Sequence, residues 1–443
     1  MDCNKSNLNQ FADMISLEDV PEQNPHYVQS VSDLGEKQEV IARADIYAAN
    51  GMKLVAKGAR INRSQCERLN LHKLRTPLDQ MLAAERTVDA AMLASDANRI
   101  FAGDAAMTRL AERSGDPHGF RHALGNLELP APLAFRMTVM REARSDMYRH
   151  MMHVAIIAHS IAVRLKLSDR DKGDLMMAAL CHDVGEMHTD PVMLAISHRI
   201  ASQERRFIHV HPITGFVILQ DISGLPASVL QAVLHHHERL DGSGYPYGLK
   251  EATIHPLARI LCVAEVMEGV VRRADLQRLD VLLRLNQHRF DQAVVSTLRE
   301  LLRTDTRDAE PSPVSASASA RLTQVATVLK TWPGIQTALR AQPPSPTLAF
   351  LDERMRMLRS LVLQAGIDPE NTDGLVTWAS EEASVLSELN NTLEELQWLM
   401  LDIANELERR TELLEGLAEV IVGEMVTLLR QDCASVEIAN LIQ

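Results

Sequence analysis

The stretch HHHERLDGSGYPYG, residues 235–248, sets three histidines, a glutamate and an aspartate ahead of a turn flanked by glycines. Working outward, LMMAALCHDVGE (175–186) reads as an apolar helix that ends in His182-Asp183, with Gly185 placed to stop it. Between them, HVHPITGFVIL (209–219) supplies His211, followed by Pro212 at a first helical position. Further upstream, MYRHMMHVAIIAHSIAVRL (147–165) is a helix carrying His150, His153 and His159. At 100° per residue His150 shares an apolar stripe with Val154, Ile157, Ile161 and Leu165, so it points inward. Asp146 lies one turn earlier near the same stripe. His153 sits at its edge, and His159 falls on the opposite face and reads as solvent-facing. This 3.6-residue periodicity from Arg144 to about Leu302 predicts a mainly α protein built on a helical bundle.

A single inward histidine is more often a hydrogen-bonded core residue than a ligand. The set reads differently. Buried imidazoles and carboxylates are costly without partners, and a metal ion satisfies several at once. Imidazole mixed with Asp or Glu suits Fe, Mn or Zn rather than Ca or Mg. One ion needs three or four protein ligands, and this set is large enough for two ions bridged by one carboxylate.

The order H…HD…HP…HH-E-x-x-D-G-S-G-Y-P resembles the HD-GYP family, a branch of the HD phosphohydrolases, over roughly Asp146 to Leu302. The likeness continues through PLARILCVAEVMEG (256–269) and HRFDQAVVSTLREL (288–301). It implies an all-α HD bundle and two divalent ions, Fe or Mn. His150, His182, Asp183 and Glu265 would hold one ion; His211, His236 and His237 would hold the other, with Asp183 bridging and His182 and Asp183 at the catalytic centre. Asp146 stands where some members place a carboxylate for a third ion. The implied activity is hydrolysis of cyclic di-GMP to linear pGpG, GMP or both, in bacterial second-messenger signalling. A two-ion centre suits that chemistry because it activates water and stabilises the leaving oxyanion without a protein nucleophile. Gly244, Tyr245 and Pro246 would shape the substrate rim; the arginine of the family's RPYR stretch is missing in register, and Arg272 and Arg273, one or two residues earlier, either take its place as phosphate contacts or form a solvated helix face.

Two positions depart from the family pattern. Glu186 stands where a lysine is usual, reversing a charge near the substrate. Glu265 stands where an aspartate is usual, and its extra methylene lengthens the reach to a metal. The alternative reading is therefore a degenerate module that keeps its ions and acts as a signalling or interaction protein without turnover.

The rest of the chain bounds these readings. Its 443 residues predict more than one domain. Residues 351–443 hold 19 acids against 6 bases, which argues against a nucleic-acid binder. Nothing resembles a signal peptide or an apolar run of about 18 residues, so a cytoplasmic protein without membrane contact is expected. The cysteines are scattered and read as reduced thiols. The expected organisation is a loose N-terminus (1–38), a region with a hairpin at Asn50-Gly51 and helices (39–135), the HD-GYP domain (136–305), a linker (306–320) and an acidic helical region (321–443). In the last, Leu386, Leu389, Leu393, Leu396, Met400, Ile403 and Leu407 alternate spacings of 3 and 4. That stripe, resuming to Ile421, fits a helix packed within its own domain and equally a coil that joins a homodimer. A signalling-protein partner is the other contact expected of such a chain.

Overall fold

Asn50-Gly51 forms the expected turn: β2 (Ile46–Tyr47) and β3 (Lys53–Val55) pair antiparallel across it, and Gly51 takes the left-handed φ of +86° that the turn requires. This computed structural model describes residues 25–194, 204–271, 281, 283, 286, 288–302, 317–370, 372, 374–379, 383–411, 414 and 416–430. A second small ribbon joins β1 (Val40–Ala42) to β4 (Leu82–Ala84). Everything else regular among the described residues is helical.

Helix α1 (Pro25–Lys37) packs on α2 (Ala131–Ala143), which leads directly into α3 (Ser145–Arg164). From Val154 to Ala162 every side chain of α3 is buried, so it is the central helix and not an amphipathic one. That burial corrects the reading of His159. It is buried with its ring edge-on to Phe120, centroids 5.6 Å apart, and burial pushes its pKa down to about 4. A one-stripe reading fails for a helix enclosed on all sides.

The bundle continues with α4 (Asp169–Cys181, capped by Ser168), α5 (His211–Gln220), α6 (Ala227–His235), α7 (Pro256–Val271) and α8 (Gln292–Leu302). Against α3 pack α4, α7 and α8, while α6 packs on α4, α7 and α5. One continuous apolar core runs from Tyr27 through the bundle to Leu301, so the N-terminal region and the bundle are packed as a unit. Residues 306–316 of the expected linker lie outside the described residues, and from Ser317 the chain is helical.

A second core belongs to α9 (Ser317–Arg340), α10 (Pro346–Gln364), α11 (Ala383–Thr411) and α12 (Leu417–Arg430). The alternating stripe of α11 is spent here. Leu393, Leu396, Met400, Ile403 and Leu407 are buried against α9, α10 and α12 of the same chain. The packing is the intramolecular one of the two that the spacing allowed. No helix of the described residues is long and apolar enough to cross a membrane.

Candidate metal centre

Three histidines reach the centre by the same local device. Each stands at the end or start of a helix, and its Nδ1 faces the carbonyl three residues earlier: His182 to Ala179 at 2.9 Å, His211 to Ile208 at 2.7 Å, His236 to Val233 at 2.5 Å. A carbonyl only accepts, so each Nδ1 carries the proton and each Nε2 presents a lone pair. His211 and His236 point those lone pairs at each other, Nε2 to Nε2 3.1 Å. Two acceptors face to face repel unless a proton or a cation lies between them.

Asp183, in the turn after α4, sits among these nitrogens. Its Oδ2 lies 3.1 Å from His182 Nε2 and 3.4 Å from His150 Nε2; its Oδ1 lies 3.4 Å from His211 Nε2 and 3.6 Å from His236 Nε2. One carboxylate thus divides its two oxygens between two groups of imidazoles. Ligand-capable atoms of Asp183, His211, His236 and His237 gather within 4.8 Å of one another, as do those of His150, His182 and Asp183. Glu265 gathers with His182 and His236, and its Oε1 lies 3.5 Å from His237.

The donor set fits divalent cations. His182 Nε2, Asp183 Oδ1, His237 Nδ1 and Glu265 Oε2 are buried without a hydrogen-bond partner. Burial, and then Asp183, push Glu265 up to about 8 and Glu186 up to about 7. Burial pushes His236 down to about 3 and holds His237 well below its ordinary value. Burial also opposes charge on His182, His211 and Asp183, yet Asp183 holds both imidazoles above their ordinary value, and the imidazoles hold Asp183 well below the carboxylate range. The acids and bases of the centre are thus split rather than uniformly shifted.

Several contributors escaped the sequence reading. Glu268, one turn beyond Glu265, is buried with Oε2 2.7 Å from His150 Nδ1 and Oε1 3.7 Å from His153 Nδ1. It orients His150 as the carbonyls orient the other imidazoles. Burial opposes charge on His150, yet its contacts with Asp183 and Glu268 hold its pKa well above the usual histidine range. The i,i+3 spacing of the two glutamates was the available signal. Glu238 accepts the backbone N–H groups of Tyr247 at 2.7 Å and Leu249 at 2.9 Å, and so folds the Gly-Tyr-Pro loop back on the histidines.

Gly244 and Gly185 are close-approach glycines. A Cβ on Gly244 would stand 2.4 Å from both the His237 carbonyl oxygen and the Arg239 nitrogen. A Cβ on Gly185 would stand 2.1 Å from the His211 carbonyl oxygen. Gly185 therefore does not stop α4, which ends at Cys181; it lets the short 3-10 turn Val184–His188 lie against α5. Tyr245 is stacked between His237 (centroids 4.5 Å) and His209 (4.1 Å), and Pro246 is buried. The Tyr245 ring thus packs directly on His237.

The structure places His150, His182, Asp183, His211, His236, His237 and Glu265 together. Glu186 borders them, its Oε1 3.8 Å from His211 Nδ1. Asp146 is a correction: its carboxylate is 85% exposed, pairs with Arg149 at 2.7 Å, and joins none of the clusters among the described residues. The first turn of α3 turns it to solvent. Arg272 and Arg273 lie outside the described residues.

The same stretch of chain is similar to known proteins. Residues 122–294 match the HD domain family. The cyclic di-GMP phosphodiesterase PA4108 of Pseudomonas aeruginosa is 35% identical over 136 residues, 30% of this chain and 33% of that protein. The 3'3'-cGAMP-specific phosphodiesterase 1 of Vibrio cholerae is 31% identical over 154 residues, 34% of this chain and 35% of that protein. The cyclic di-GMP phosphodiesterase response regulator RpfG of Xanthomonas campestris is 34% identical over 149 residues, 31% of this chain and 38% of that protein. The chain thus spans little more than a third of the length of these relatives.

Proposed function

We propose, from the match of residues 122–294 to the HD domain family and the HD-GYP pattern of the sequence, that this chain is a metal-dependent phosphodiesterase hydrolysing cyclic di-GMP to linear pGpG, GMP or both. The observation that carries the proposal is the set of buried, unpaired donor atoms converging on Asp183, with the Nε2 atoms of His211 and His236 3.1 Å apart beside it. Two divalent ions, Fe or Mn, answer that arrangement. His150, His182, Asp183 and Glu265 would hold one; His211, His236, His237 and the other oxygen of Asp183 would hold the second. When bound, such ions supply activated water and stabilise the oxyanion that leaves phosphorus.

The chain's own residues do the rest. The carbonyls of Ala179, Ile208 and Val233 fix the ligating tautomer, and Glu268 does the same for His150. Tyr245 fixes His237 by stacking, and the loop shaped by Gly244 and Glu238 covers that side of the centre. Rigid ligands matter because reactivity is lost over fractions of an ångström.

Glu186 supports a second reading. A half-buried carboxyl beside His211 stands where a phosphate-binding cation would help, and it disfavours an anionic substrate whenever it ionises. On that reading the centre keeps its ions and the module works through protein contacts. The test is turnover by protein loaded anaerobically with Fe(II) or Mn(II), with bound metal counted on the same sample. A His182→Ala/Asp183→Ala double variant is the blank, and 3'3'-cGAMP is offered beside cyclic di-GMP. Product from wild type alone supports the enzyme and identifies its preferred substrate. About two ions per chain with no product from either substrate supports the second reading.

A further inference from the structure

The loop that carries Tyr245 is also held from outside the HD domain. Asp241, four residues before Tyr245, divides its carboxylate between two tasks. Its Oδ1 accepts from the Ser243 backbone N–H at 2.9 Å and from the Ser243 hydroxyl at 2.6 Å, which sets the start of the loop. Its Oδ2 receives Arg354 Nη1 at 2.6 Å, with Arg289 Nε at 3.8 Å and His288 Nε2 at 3.7 Å. Arg354 comes from α10 of the C-terminal bundle and is itself buried.

A parallel link runs beside it. Arg289 donates to Asp402 of α11 at 2.5 Å and packs over Trp398, guanidinium carbon 5.5 Å from the ring centroid. The Arg289 carbonyl in turn accepts the Leu240 backbone N–H at 3.0 Å. Asn286 donates to the buried Glu395 at 2.7 Å. The C-terminal bundle therefore reaches the loop through the largely buried charges of the Asp241–Arg354 pair and through Arg289, itself buried, whose partner Asp402 is partly exposed. Such charges fix geometry firmly while paired and are costly when one partner is removed.

We propose that Arg354 is a positioning residue for the Gly-Tyr-Pro loop, so that the C-terminal bundle completes the site by clamping Asp241. The consequence for turnover rests on the phosphodiesterase reading above; the clamp itself does not. Asp241 retains its bond to Ser243 without Arg354, but its second oxygen keeps only longer contacts. The loop then loses its outer anchor while every proposed metal ligand stays in place. Movement of α10 or α11 would reach Tyr245, and through it His237, by the same route.

The test uses the full chain loaded with Mn(II), comparing wild type, Arg354→Gln and Arg354→Lys. Hydrogen exchange is followed over residues 240–250, whose Tyr247 and Leu249 amides are tied to Glu238. In Arg354→Gln these amides exchange at least about tenfold faster, and exchange in α3 and α4 is unchanged. Metal content stays at the wild-type level. KM for cyclic di-GMP rises by about fivefold or more while kcat moves far less, as loss of ground-state and transition-state contacts together predicts. Lysine restores most of both effects. Faster exchange confined to 346–364 and 383–411, with 240–250 unchanged, would overturn the proposal and leave Arg354 as a fastener of the bundle alone. Should Arg354→Gln not fold, Asp402→Asn loosens the parallel link with the same two outcomes. A wild-type protein without turnover would remove the functional reading and leave the exchange result to decide the clamp.

Discussion

Two buried polar clusters in one continuous core behave in opposite ways. In the first, Asp79 receives Arg136 Nε at 2.9 Å, a second guanidinium nitrogen of the same residue and the Tyr27 hydroxyl. Arg136 also meets His188 Nε2 at 3.2 Å and lies over the Tyr27 ring. None of these four side chains has a buried polar atom without a partner. In the second, around Asp183, four residues have one each. Both clusters bury carboxylates among cations or imidazoles. Of these two only the second is incomplete, and what marks it as a ligand site is that its open donor atoms belong to imidazoles and carboxylates whose ligand atoms gather in groups within 4.8 Å of one another.

That contrast predicts two different kinds of damage. Asp183→Asn removes the charge shared by both groups of imidazoles, so bound metal should fall below one ion per chain and turnover by about a thousandfold or more. Metal counting together with product formation checks this; a variant that keeps two ions and full turnover would break the contrast. Asp79→Asn should do the reverse. Leaving Arg136 buried and under-paired is expected to cost about 3–5 kcal/mol of stability, read from urea unfolding, with metal content unaltered in the folded fraction.

The centre's incompleteness also makes stability depend on metal. At free Mn(II) one hundred times the dissociation constant, linkage adds about 2.7 kcal/mol to the folded state. Chelation should therefore lower the melting temperature of wild type and of Asp79→Asn alike, and leave Asp183→Asn unmoved. Equal shifts in all three would place the stabilising ion somewhere other than Asp183.

The sequence showed the site better than the scaffold. Histidines at helix ends, His182-Asp183 and the 235–248 stretch were legible because ligand chemistry demands particular residue types at particular places. The i−3 carbonyl partners were not, since any residue supplies a carbonyl and only the backbone path brings it to Nδ1. His159 was misread because a periodicity argument presumes a solvent side, and α3 has little. Asp146 was misplaced for the converse reason: a position near the inward stripe at a helix's first turn need not be covered, and here it is 85% exposed. The α11 stripe was found, but spacing alone does not say whether its partner belongs to the same chain. Arg354 and Asp241 lie 113 residues apart, beyond any local pattern.

The smallest expected effect sharpens what supports the incomplete cluster. Tyr245 touches His237 through its ring face, and its hydroxyl is buried without a hydrogen-bond partner. If the ring's work is to fix His237, Tyr245→Phe preserves it and even relieves an unpaired hydroxyl, so metal affinity and kcat should stay within about twofold of wild type. Tyr245→Leu keeps apolar volume but removes two stacked aromatic contacts, each worth about 0.5–1.5 kcal/mol beyond burial. Metal affinity at the His237 group should then weaken by about tenfold, read as partial loss of one ion on dialysis, while the ion at His150 and His182 stays bound. Were Tyr245→Phe as damaging as Tyr245→Leu, the hydroxyl and not the ring would be the working part. The unpaired oxygen would then join the donor atoms that the centre leaves open for a ligand.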